Sequence, residues 1–182
     1  MIEVNQKLNI RIADIIEESF VDGEGVRFAI FVQGCYHNCK GCHNPATHDF
    51  NAGKLADTEQ IIEKFKNAPL ISGITLTGGE PLCQINAVTE LAVAAKNLGL
   101  TVWCYTGCVY EELIGNINEI EKKFFTIEEI NKFLNYVDVL VDGPFIESQR
   151  DLTMSFCGSR NQRLIDIPKS RTQKIFVPWR PH

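Results

Sequence analysis

The 182-residue sequence predicts an α/β fold built on a mainly parallel sheet. Three observations predict it. Runs rich in branched and aromatic residues alternate with runs of helical periodicity, the pattern of strands joined by helical crossovers. Apolar residues make up 45% and charged residues 23%, ordinary for a globular chain and too apolar for global disorder. The length suits one domain over residues 1–182 with a real core, yet falls short of the roughly 250 residues of a complete eight-stranded βα barrel.

The elements follow in order. Arg27–Gln33 (RFAIFVQ) reads as a strand. Asp57 or Thr58 caps a helix that runs to about Asn67, ahead of Pro69. Gly73–Thr77 is a short buried strand that ends at Gly78-Gly79. From about Gln84 to Leu98, Ile85, Val88, Leu91, Ala92, Ala95 and Leu98 keep three- and four-residue spacing. Gly99 suits the left-handed stop of that helix. Thr101–Tyr105 is the next strand. Thr126-Ile127-Glu128-Glu129 is a capping box opening a helix to about Asn135. Val137–Val141 is a further strand, stopped by Asp142-Gly143-Pro144, and Lys174–Val177 is read as a last one.

Composition excludes several classes. The net charge of −5 disfavours non-specific nucleic-acid binding, which needs cations against phosphate. No run approaches 18 apolar residues, so no membrane span is expected. Met1–Asn5 shows no basic stretch followed by an apolar run, so a cytoplasmic protein is expected. Charge is uneven: residues 143–182 carry seven basic and three acidic side chains, a balance of +4 that leaves −9 on the rest. This is either an ordinary solvated surface or a face for an acidic partner, with Arg160 and Arg163 at its centre.

Seven cysteines in such a chain point to metal binding or chemistry rather than disulfides. Cys35, Cys39 and Cys42 form a C-x3-C-x2-C run directly after the first predicted strand. A 4Fe–4S cube usually takes four cysteines, one per iron. Three on one loop would leave one iron open to a non-protein ligand. Structural zinc, with His37 or His43 as fourth ligand, is the alternative; such sites usually pair two close ligands with two distant ones. Cys83, Cys104, Cys108 and Cys157 stand alone and read as small core residues.

Thr75-Leu76-Thr77-Gly78-Gly79-Glu80-Pro81 closes the next strand, where two glycines let backbone approach a ligand. Both motifs fall at the carboxyl ends of strands, where ligands of such sheets bind. Together they resemble the radical SAM superfamily, and the joint occurrence is far more specific than either alone. Asp22-Gly23-Glu24-Gly25-Val26-Arg27 otherwise reads as a hairpin turn. It is also similar to the D-G-x-G-x-R element of the glycyl-radical-activating branch. Val139–Phe145 and Gly158–Arg163 resemble elements of the family that activates anaerobic ribonucleoside-triphosphate reductase, and the likeness spans about residues 15–165.

The resemblance implies a partial (βα) barrel, incomplete and TIM-like. It implies a 4Fe–4S cluster on Cys35, Cys39 and Cys42, with S-adenosylmethionine on the open iron. The S-adenosylmethionine contacts it implies are Gly41, Cys42, His43, Gly78, Gly79 and Glu80. No catalytic residue beyond the cluster ligands is expected. The partners implied are the large, glycyl-radical subunit of the reductase and an external one-electron donor, with no nucleic acid and no membrane. Where the superfamily often has an aromatic residue before the third cysteine, this chain has Gly41, as that branch commonly does; backbone around Gly41 and His43 then meets adenine. Where the branch tends to carry arginine, this chain has Cys157. The alternatives are another radical SAM enzyme, such as a different glycyl-radical activase or a 7-carboxy-7-deazaguanine synthase-like enzyme, and a zinc-binding interaction module.

Overall fold

The structure is a computed structural model and describes residues 8–181; the Met1–Asn5 segment read above lies outside them. Strands β1 (Asn9–Ser19), β2 (Arg27–Val32), β3 (Lys54–Asp57), β4 (Gly73–Gly78), β5 (Thr101–Tyr105), β6 (Val139–Asp142) and β7 (Arg163–Asp166) form one sheet. Helices α1 (Thr58–Lys66), α2 (Ile85–Asn97), α3 (Tyr110–Gly115), α4 (Ile127–Leu134) and α5 (Ile167–Gln173) accompany it. The sheet order is β3-β1-β2-β4-β5-β6-β7.

The four central strands β2, β4, β5 and β6 are parallel and lie in chain order. This is the progressive winding of a βα barrel, left open because the edge strands β3 and β7 do not pair. Both edges are antiparallel: β1 with β2 and β3, and β6 with β7. The 22–27 turn therefore closes a hairpin between β1 and β2, as its local chemistry predicts.

The three helices read from the sequence form as α1, α2 and α4; α3 and α5 were not read there. Asp57 accepts from the Glu59 amide at 2.9 Å and opens α1. Gly99, at φ +75°, follows α2, and the Thr126–Glu129 capping box closes reciprocally at the start of α4. One face of the sheet (Phe28, Ile30, Ile74, Leu76, Val102, Leu140) packs on the buried sides of α1, α2 and α4. The other face carries a smaller cluster of Trp103, Val139 and Val141, covered by Phe156 and Trp179. Strands buried on both faces show no alternation, which is why each reads as a continuous apolar run.

One expected strand is absent. Residues 174–177 are not a strand; Lys174, at φ +55°, ends α5 in the left-handed region. An isolated bridge joins Ile165 and Pro178, with Asp166 N donating to Val177 O at 2.9 Å and Trp179 N to Leu164 O at 2.9 Å. Those two bonds flank the Ile165–Pro178 bridge, and the pairing extends no further. Among the described residues no helix is long and apolar enough to cross a membrane.

Candidate functional site

The cysteine loop springs from the carboxyl end of β2 and is stitched to the end of β4. Gly79 N donates to Val32 O and Glu80 N to Gly34 O, both at 2.8 Å. Gly34 N donates to Thr47 O at 2.8 Å and Cys35 N to His48 O at 3.2 Å, closing the loop on its own far side. Gly79 permits this stitching. A Cβ there would lie 2.4 Å from Gly34 O and 3.0 Å from Thr47 O, closer than any side chain tolerates. Gly79→Ala is expected to cost about 2–3 kcal/mol by overpacking and to loosen the cysteine loop. A urea midpoint and iron uptake, both unchanged, would refute this.

A cavity of about 610 Å³ opens at these strand ends, within the roughly 300–1,000 Å³ of small-molecule sites. Cys35, Cys39, Cys42, His43, Gly78 and Gly79 all line it. Gly41 and Glu80 do not. Gly41, at φ +74°, lies beneath Glu147, whose carboxylate would stand 3.0 Å from an added Cβ. The His43 ring rests against Phe145, with centroids 4.9 Å apart. Thr77, Tyr105 and the 152–158 segment, Cys157 included, complete the wall. Tyr105 and residues 152–157 carry no motif and are gathered only by the fold.

Glu80 is fully buried, and its carboxylate is wholly engaged inside the protein. It accepts from Leu82 N (3.0 Å), Thr106 Oγ1 (3.0 Å), Gly107 N (2.9 Å) and His37 Nε2 (2.8 Å). It thus ties the ends of β4 and β5 to the cysteine loop. Thr106 is consumed in this network and Asp142 by Arg163 and Tyr110 N.

The site's electrostatics are those of neutral thiols. Burial, with the Glu80 charge second, pushes Cys35 up to about 11, and burial raises Cys39. A bound metal reverses this, because a coordinated thiol is deprotonated. Spacing discriminates between metals. Among the described residues, the trio whose ligand atoms all fall within 4.8 Å of one another is His37, Glu80 and Cys108. The three loop sulfurs are not such a trio, so at least one pair lies more than 4.8 Å apart. Tetrahedral zinc with 2.3 Å bonds would hold its sulfurs about 3.8 Å apart, whereas a cube with one thiol per iron spreads them. The loop therefore fits a cluster better than a single ion. The His37 trio does not fit an ion either. Its carboxylate lone pairs already accept four donors, and burial holds the Cys108 thiol protonated beside the Tyr36 hydroxyl at 3.0 Å.

The remaining cysteines divide by depth. Cys104 and Cys108 are buried in the core, whereas Cys83 and Cys157 are only partly covered. The basic carboxyl-terminal face is not all free surface. Arg163 pairs with buried Asp142 and with Glu111 (2.6 Å), and Arg160 pairs with Asp151 at 2.9 Å while staying largely exposed. Removing Arg163 strands a buried carboxylate. Arg163→Ala is thus expected to destabilise by about 3 kcal/mol and Arg160→Ala by under about 1 kcal/mol. Equal urea midpoints for the two variants would refute the distinction.

An open βα sheet with a three-thiol loop over a strand-end cavity defines a cluster-binding class. In agreement, residues 21–165 match the family described as 4Fe-4S single cluster domain. Anaerobic ribonucleoside-triphosphate reductase-activating protein of Haemophilus influenzae is 36% identical over 150 residues, 78% of this chain and 88% of that one. The proteins of the same name from Enterobacteria phage T4 (34%; 80% and 86%) and Escherichia coli K12 (32%; 78% and 89%) are similar to it as well. The chain belongs to the family of anaerobic ribonucleoside-triphosphate reductase-activating proteins. Among solved structures, QueE from Escherichia coli aligns over 96% of this chain and 95% of its own, with a TM-score of 0.47 and 12% identity.

Proposed function

We propose that this chain is the activating enzyme of an anaerobic ribonucleoside-triphosphate reductase, placing a glycyl radical on the reductase large subunit. The observation that carries the site is the trio of thiols, Cys35, Cys39 and Cys42, on one cavity with the Gly78-Gly79 end of β4. The relatives' shared name carries the partner.

In this reading Cys35, Cys39 and Cys42 would hold a 4Fe–4S cluster, with S-adenosylmethionine bound beside it. When bound, these groups would supply one-electron reductive cleavage of the sulfonium, releasing methionine, and abstraction of a Cα hydrogen from glycine.

The chain's own residues do the rest. Gly78 and Gly79 bring backbone against the methionyl end without side-chain bulk. Cys42 and His43 border the nucleoside side, with the imidazole held by Phe145. Gly41 and Glu80 serve from behind the wall, the first by its turn and the second by bracing the loop. Phe31, Tyr105 and Phe145 exclude water from the cavity. The open sheet leaves a side through which a partner backbone enters. An outside protein or reductant delivers the electron. Clustered cysteines read as metal ligands rather than disulfides support a cytoplasmic location.

The test is anaerobic reconstitution with iron and sulfide, addition of a reductant, and assay for 5′-deoxyadenosine. The assay is followed by paramagnetic resonance on the mixed reductase. About four irons per chain, reductant-dependent cleavage and a glycine-centred signal are expected. A colourless protein holding one zinc, with no cleavage, would overturn the reading.

A further inference from the structure

We propose that His37 is a positioning residue: a strut, pinned by Glu80, that fixes the cysteine loop for its cluster. This rests on the function read above and deepens it. A loop that donates three thiols and closes with none from elsewhere needs an anchor outside its own backbone.

The structure shows that anchor. His37 lies between Cys35 and Cys39, and its Nε2 is 2.8 Å from Glu80 Oε2. A carboxylate only accepts, so Nε2 carries the proton. Glu80 is in turn immobilised by Thr106, Leu82 N and Gly107 N, that is, by the rigid ends of β4 and β5. The opposite wall of the slot is aromatic: the Tyr36 ring lies 4.2 Å from the imidazole and itself stacks on Phe124 at 5.3 Å.

The slot is also tight. A Cβ on Gly107 would stand 2.5 Å from the His37 ring, so the backbone of β5's exit is bare where the imidazole passes. The next residue, Asn38, turns the loop at φ +47°, a left-handed conformation that asparagine adopts readily. The His48 ring nitrogen lies 3.1 Å from Asn38 Oδ1 and secures the far side of that turn.

The experiment reconstitutes the full chain anaerobically and times iron loss to a strong chelator, so the readout is cluster retention rather than turnover. His37→Ala is expected to release iron about ten- to a hundredfold faster, the size of one charge-assisted hydrogen bond or of losing one group that orients metal ligands. His37→Gln, whose amide N–H can reach the same carboxylate, should recover most of the retention; a merely space-filling ring would not be rescued so. Gly107→Ala should mimic His37→Ala in the wild-type background and add nothing in the His37→Ala background. It carries the test if His37→Ala does not fold.

Wild-type release rates in both His37→Ala and Gly107→Ala would overturn the strut while leaving the cluster assignment standing. A wild-type chain that takes up no cluster would overturn the function, and the strut with it.

Discussion

Cys35→Ala, Cys39→Ala and Cys42→Ala should each abolish iron–sulfur loading and reductant-dependent cleavage of S-adenosylmethionine. Losing a residue that orients a metal ligand already costs about 10- to 100-fold, and loss of a ligand exceeds that. The three thiols line one cavity and no fourth thiol of the loop can replace one of them. Cys104→Ala is the matched control. It removes a fully buried sulfur from the core cluster behind the sheet, so about 1–2 kcal/mol of stability is lost while loading persists. Iron content and the visible spectrum after reconstitution read the result. Any member of the triplet that can be replaced with full loading is not a ligand.

The second large effect lies at the opposite end of the sheet and concerns folding. Arg27 is fully buried, and burial pulls its guanidinium down to about 10. The side chain reaches across the start of three parallel strands. Nε donates to Thr75 Oγ1 at 3.1 Å, Nη1 to Thr101 Oγ1 at 2.5 Å, and Nη2 to Thr101 O at 3.1 Å and to Ile74 O. Thr75 Oγ1 passes the chain of bonds on, donating to Asp22 O at 2.7 Å and holding the 22–27 turn inside the sheet. Among the described residues no buried side-chain nitrogen or oxygen lacks a partner. Arg27→Met removes the fork and leaves those acceptors dry. It is expected to cost about 3–5 kcal/mol, read as a lowered urea midpoint at unchanged slope. Arg27→Lys should fall only partly short of that loss, because one ammonium cannot span three strands. A wild-type midpoint for Arg27→Met would show that the turn and sheet hold without it.

The D-G-x-G-x-R run therefore works through packing. Gly23, at φ +137°, lies against Trp103, where a Cβ would stand 2.9 Å from the indole. Its resemblance to a family element was legible in the sequence, but its role was not. A strand pattern says that Arg27 is on the inner face; it does not say that Ile74 and Thr101 will present oxygens there.

The same division runs through the site. The thiol triplet and the bare Gly78-Gly79 turn were legible because each is local: spacing along one loop decides which atoms can meet. The parallel core strands were legible because double burial writes continuous apolar runs. The antiparallel strands β1, β3 and β7 were not read from the sequence. β1 is half exposed and irregular against β2, so its pattern is diluted. The residues 174–177 carry strand-like composition, yet the left-handed cap of α5 at Lys174 begins them and they pair with β7 only at an isolated bridge. Arg163 looked like a free surface charge and is an internal partner of Asp142, 21 positions away.

What the sequence alone determined is the chemistry on offer: three thiols on a short loop, two glycines at a strand end, and strands and helices in an order that winds one way. Those are properties of neighbours in the chain. The tertiary structure decided which distant groups brace them. Glu80 meets His37 from 43 residues away and Gly107 from 27. That meeting depends on the register of β4 beside β5 and on how little space is left between them. Packing sets such distances to tenths of an ångström, and no pattern of residue types along the chain carries that information.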